Sequence, residues 1–138
     1  MADTVTVQRT IDAPPSEVWA ALTEPDKIKE YFFGSEVDTD WTPGSPITFR
    51  GEYKGRKYED KGEIKKVEEE RSLSFTHYSE MSGKPDKPEN YATVTYDLKG
   101  KGDQTDLKVT QTNCSGAEEQ TKKNWEMVLD GLKTMVEH

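Results

Sequence analysis

The stretch from Ser115 to Glu137, SGAEEQTKKNWEMVLDGLKTMVE, constrains the fold of this chain more than any other. Trp125, Val128, Leu129, Leu132, Met135 and Val136 recur at the three- and four-residue spacing that lines up side chains on one face of an α-helix. Ser115 followed three residues later by Glu118 has the form of a capping box. Glu118 and Glu119 put negative charge in the first turn, where it meets the positive end of the helix dipole. The apolar stripe is lopsided. Between Gly116 and Asn124 only Ala117 and Thr121 continue it. The spacing therefore predicts a long closing helix whose C-terminal half plugs a sheet, while its first half overlies something wetter.

The chain before this helix reads mostly as strands. Thr4 to Ile11 alternates, with Val5, Val7 and Ile11 on one face and threonines and Gln8 on the other. Asp12-Ala13-Pro14-Pro15 breaks that strand, and Pro15 suits the first turn of a helix running through Leu22. Pro25 starts a second short helix, predicted from Asp26 to Phe33 and closed by Gly34. Strands are predicted at Pro46 to Tyr53, Lys57 to Glu69, Ser72 to Tyr78, Tyr91 to Leu98 and Asp106 to Thr112. Lys54-Gly55 and Gly100-Lys101-Gly102 read as hairpin turns, and Gly62 interrupts its strand as a bulge or close approach would. Glu80 to Asn90, with Gly83, Pro85 and Pro88 among charges, reads as a long loop.

Composition narrows the partners. A chain of 138 residues suits one domain over residues 1–138 and buries roughly two thirds of its unfolded surface. Apolar residues are 31% and charged residues 33%, so the core must lean on three Trp, six Tyr and four Phe. The net charge of −8 repels phosphate backbones and anionic headgroups, which argues against nucleic-acid and membrane partners. The lone Cys114 leaves no internal disulfide, and the first residues lack the apolar run of a signal peptide. A monomeric cytoplasmic protein is the expectation.

The order is strand, two short helices, about six further strands and one long helix, an α+β arrangement. A meandering antiparallel sheet of that size curls through its twist, and a single helix fits the concave face. One helix seldom fills such a grip, so a cavity between sheet and helix is predicted.

Ile11-Asp12-Ala13-Pro14, Glu17-Val18-Trp19 and Ala21-Leu22-Thr23 open the chain as members of the activator of Hsp90 ATPase homologue 1-like family do. Pro25 to Phe32, Gly62-Glu63-Ile64 with Arg71, Leu73, Phe75 and Thr76, and Trp125, Leu129, Leu132 and Glu137 follow in that family's order. The sequence thus resembles this family over nearly its whole length. The resemblance implies the helix-grip fold shared with START and Bet v 1 domains: a curved antiparallel sheet of six or seven strands crossed by the C-terminal helix. It departs at His77, where an aromatic is expected, and at Asn124, where a glycine commonly precedes the helix tryptophan. Both exchanges add polar atoms near the expected cavity. The chain also offers no room for the additional N-terminal domain of the eukaryotic co-chaperone, so direct Hsp90 activation is not the leading expectation.

In such a fold Tyr31, Phe32, Phe75 and Trp125 converge beside the gap, with Tyr96 and Leu129 next to them and His77 and Gln111 as polar points. Those eight residues are the candidate ligand-binding set, suited to a flat, largely apolar molecule. Trp19 and Phe49 are assigned to the core. His77 reads either as a buried imidazole satisfied by a neighbour or as a ligand contact, with Glu80 a conceivable partner. Cys114 has only His77 to serve as a base, and a small residue at a helix start is the plainer reading. Glu59, Asp60 and Glu63 sit on a charged strand expected to be solvated, and no metal-ligand spacing or phosphate loop occurs. No catalytic residue, metal or cofactor is assigned.

Three functions follow in order of preference. The first is non-catalytic binding of a small hydrophobic, lipid-like or aromatic, molecule in the cavity. The second is a protein-interaction module related to the Hsp90 activators, with a chaperone or other protein as partner. The third is a cyclase- or hydrolase-type enzyme, for which His77 is the one available acid–base residue.

Overall fold

The computed structural model describes residues 4–32, 34–53, 55–79, 85–114 and 117–137. The elements run β1 (Val5–Ile11), α1 (Pro15–Thr23), α2 (Pro25–Tyr31), β2 (Glu36–Asp38), β3 (Pro46–Tyr53), β4 (Arg56–Glu68), β5 (Ser72–His77), β6 (Ala92–Lys101), β7 (Gln104–Gln111) and α3 (Glu118–Val136). A 3₁₀ turn, Pro88–Asn90, precedes β6. The strands form one curved antiparallel sheet in the order β1-β7-β6-β5-β4-β3-β2, with α3 across it. The helix-grip expectation holds.

Alternation in the sequence becomes rows across the sheet. Val7 pairs with Val109, Val109 with Tyr96, and Tyr96 with Leu73, giving one buried row. The next row is Val5, Gln111, Val94, Phe75 and Ile64. Because side chains on a strand alternate faces, both rows point toward α3. Gly62 marks a close approach, as expected: a Cβ there would lie 1.6 Å from the Thr76 carbonyl oxygen. The register then slips between Ile64 and Lys66, a β-bulge just beyond the glycine.

The differences from the predicted elements are local. Helix α3 begins at Glu118, with Ala117 at the cap position contributing no side-chain hydrogen bond; the capping-box residue Ser115 lies outside the described residues. Helix α2 ends at Tyr31 with Phe32 as its cap residue, while Gly34 takes φ +73°, the left-handed geometry that favours glycine. Phe33, named as the end of that helix, is also outside the described residues. Strand β2 was not anticipated, since three residues carry too little alternation to register.

Both ends of the closing helix's C-terminal half are tied down. Arg9 Nε donates to Asp130 Oδ1 at 2.8 Å and its guanidinium lies 3.7 Å from Glu126. The Asp12 amide donates to Glu137 Oε2 at 2.7 Å, and Lys133 Nζ donates to the Thr10 carbonyl at 3.0 Å and pairs with Glu137. Between these anchors Leu129 and Leu132 are completely buried. Each such side chain contributes about 1.5–3 kcal/mol relative to exposure. Gly131 lets α2 come close, because a Cβ there would sit 3.2 Å from Tyr31 Cβ.

Candidate functional site

Where the apolar stripe of α3 gives out, the space beneath is hollow. A cavity of about 820 Å³ lies between the sheet and the first half of the helix. Gln120, Thr121 and Asn124 form its roof with Trp125 and Val128. Phe75 and His77 of β5, Val94 of β6 and Gln111 of β7 line its floor. Met127, 61% exposed, stands at its edge.

One side of the cavity is aromatic and is built around Phe49. Its ring stacks on Phe32 at 5.9 Å, leans on Phe75 at 5.6 Å and meets His77 edge-on at 5.5 Å. Phe32 in turn meets Trp125 edge-on at 5.9 Å. Such offset and edge contacts are the arrangements that aromatic pairs prefer. Trp125 Nε1 donates to Gln111 Oε1 at 2.7 Å, which fixes the indole over β7.

The opposite side is polar. His77 Nε2 lies 3.1 Å from Asp60 Oδ2. An ionised carboxylate only accepts, so in the neutral ring the proton sits on Nε2 and Nδ1 is left as an acceptor. The two residues are neighbours because Lys61 and Tyr78, one position further on, exchange backbone hydrogen bonds of 3.0 and 2.7 Å. Ser35 and Tyr58 share a hydroxyl hydrogen bond of 2.5 Å. Gly51 makes that possible: a Cβ there would lie 2.4 Å from the Tyr58 hydroxyl.

Of the eight predicted residues, Phe32, Phe75, His77, Gln111 and Trp125 line the cavity. Three do not. Tyr31 is buried between α1 and α3, its hydroxyl donating to the Ala21 carbonyl at 2.6 Å. Tyr96 lies beneath Trp125, the two rings edge-on at 5.8 Å. Leu129 belongs to the packed half of the helix. Burial raises the phenol pKa of both tyrosines, so neither supplies a phenolate at neutral pH.

One assignment is extended and one needs correction. Phe49 belongs to the core, as expected, and is also the hub of the cavity wall. Asp60 is not solvated like its neighbours: its side chain is 17% exposed, whereas Glu59 is 58% exposed and paired outward with Arg50 at 2.7 Å. The signal was available. Counting back by twos from Ile64 puts Gly62, Asp60 and Tyr58 on the inner face of β4. Glu80, suggested as a partner of His77, lies outside the described residues. Cys114 is buried, with its thiol toward the Gln111 and Thr112 carbonyls at 3.3 and 3.4 Å.

Comparison with known proteins agrees with the fold. ChR145 from Cytophaga hutchinsonii is 41% identical, with a TM-score of 0.83 over 96% of this chain and 92% of its own. CalU16 from Micromonospora echinospora is 28% identical, with a TM-score of 0.75 over 96% of this chain and 75% of its own. The Aha1 dimer of Colwellia psychrerythraea, at 19% identity, shares the fold with a TM-score of 0.75 over 97% of this chain and 96% of its own. A comparison with proteins of curated function finds no match. Among the described residues no helix is long and apolar enough to cross a membrane. The family model for activator of Hsp90 ATPase homologue 1-like proteins matches residues 12–137, and the chain belongs to that family.

Proposed function

We propose that this protein binds a small, largely apolar molecule, aromatic or lipid-like, in the cavity under α3 without transforming it. The observation that carries the reading is the cavity of about 820 Å³ walled by Phe32, Phe49, Phe75 and Trp125. That volume lies within the range of small-molecule sites, and the mixture of apolar wall and few polar points is their usual chemistry. Removing an apolar guest from water contributes about 25 cal/mol for each Å² buried. His77 and Gln111 orient the guest rather than react with it, since each already holds a neighbouring side chain.

A hollow interior favours this reading over the protein-interaction module, for which a collapsed interior and an exposed apolar patch are expected. Native mass spectrometry of freshly purified protein, followed by organic extraction, tests it directly. A bound small molecule is the expected result. Titration with a lipid and flavonoid panel should shift the resonances of Phe32, Phe75 and Trp125 saturably. A panel that moves none of them, together with a partner protein recovered in stoichiometric amount, would favour the interaction module instead.

A further inference from the structure

Resting on that reading, we propose that the cavity selects ligands carrying a protonated amine, held by the Asp60 carboxylate beside His77. Three observations lead there. The first is Asp60 itself: it lines the cavity, its Oδ2 contacts His77, and its Oδ1 is buried without a hydrogen-bond partner among the described residues. A buried acceptor left unpaired is costly, and a donor brought by the guest relieves it. The terminal torsion of a carboxylate is soft, so a partial rotation can turn one oxygen toward the guest.

The second observation is the charge of the wall. Asp60 and Glu52 both line the cavity, and none of the described lining residues is lysine or arginine. A fatty-acid carboxylate or a phosphate at Asp60 would meet a carboxylate with no lysine or arginine among those lining residues to offset it. An ammonium meets the reverse, and the net charge of −8 raises its local concentration. The third observation is the arrangement of rings. Phe49 touches both His77 and Phe75, so an amine held at Asp60 leaves the guest's apolar body beside the aromatic wall.

The full chain and a matched naphthalene set test this: naphthylmethylamine, methylnaphthalene and naphthylacetate, followed by tryptophan fluorescence and NMR. The amine should bind roughly tenfold more tightly than the hydrocarbon, the scale of one charge-assisted hydrogen bond, and naphthylacetate more weakly than either. Asp60→Asn should erase the amine's advantage while leaving methylnaphthalene unaffected. Glu52→Gln, at an exposed position, should reduce the advantage by a smaller factor and serves if the first variant does not fold. If methylnaphthalene binds and the amine binds no better, the amine selectivity is wrong and the cavity reading stands. If no member of the set binds, the cavity reading fails and takes this inference with it.

Discussion

The two halves of α3 face the same sheet and meet it in opposite ways. The C-terminal half presents Val128, Leu129, Leu132 and Val136, all buried, and is clamped by Arg9 at one end and by Asp12 and Thr10 at the other. The N-terminal half presents Gln120, Thr121 and Asn124 to open space, with Trp125 at the junction. The difference teaches a division of labour. Trp125 and the C-terminal half carry the packing and clamps described above, while the first turns cover a void that close packing would otherwise fill.

The largest effect is expected in the packed half. Leu132→Ala should cost about 2–5 kcal/mol in urea unfolding, because a completely buried leucine leaves a cavity that its neighbours cannot close. A loss below about 1 kcal/mol would mean that this half is not the anchor. Phe75→Trp comes next: the larger ring grows into the hollow, so ligand uptake should fall roughly tenfold with a stability change under about 1.5 kcal/mol. Unchanged affinity for an identified ligand would place the guest elsewhere.

Asn124→Leu tests the hollow half from the other side. Its side chain accepts from Gln120 Nε2 at 2.9 Å on the exposed helix surface, so stability should move by no more than about 0.5 kcal/mol. A gain well beyond that would show that the space collapses once its roof is made apolar. The smallest effect concerns pH. Hydrogen bonds from Lys133 and then from the Asp12 amide hold the Glu137 carboxyl below its ordinary pKa. A carboxyl depressed on folding contributes stability that is present above its unfolded pKa and lost as pH falls through the folded value. Acidification through the carboxylate range should therefore loosen the last turn of α3, read as faster exchange of the Asp12 amide. Glu137→Gln should flatten that dependence.

Most of the fold was legible because its signals are local. The stripe from Trp125 to Val136 and the alternation of Leu73, Phe75 and His77 each state a face, and the structure uses those faces. The aromatic wall was half legible: Phe32, Phe75 and Trp125 could be placed from the expected fold, whereas Tyr31 could not, because helical spacing does not say that its hydroxyl reaches Ala21. Phe49 is both packed and cavity-lining, a distinction that strand periodicity does not make. The pairing of Asp60 with His77 joins two strands, and a run as charged as Lys57 to Glu69 hides which of its carboxylates turns inward. Register between strands is set by long-range packing, and no short window of sequence contains it.

The pinch at Gly62 has a consequence for how this site can change. With the Thr76 carbonyl occupying the place of a side chain, the spacing between Asp60 and His77 is dictated by main chain against main chain. The surrounding rings can then be exchanged for smaller or larger ones while the acid and the imidazole keep their separation. A lineage could in this way trade one guest for another by single substitutions in the wall, carrying the same polar handle forward each time.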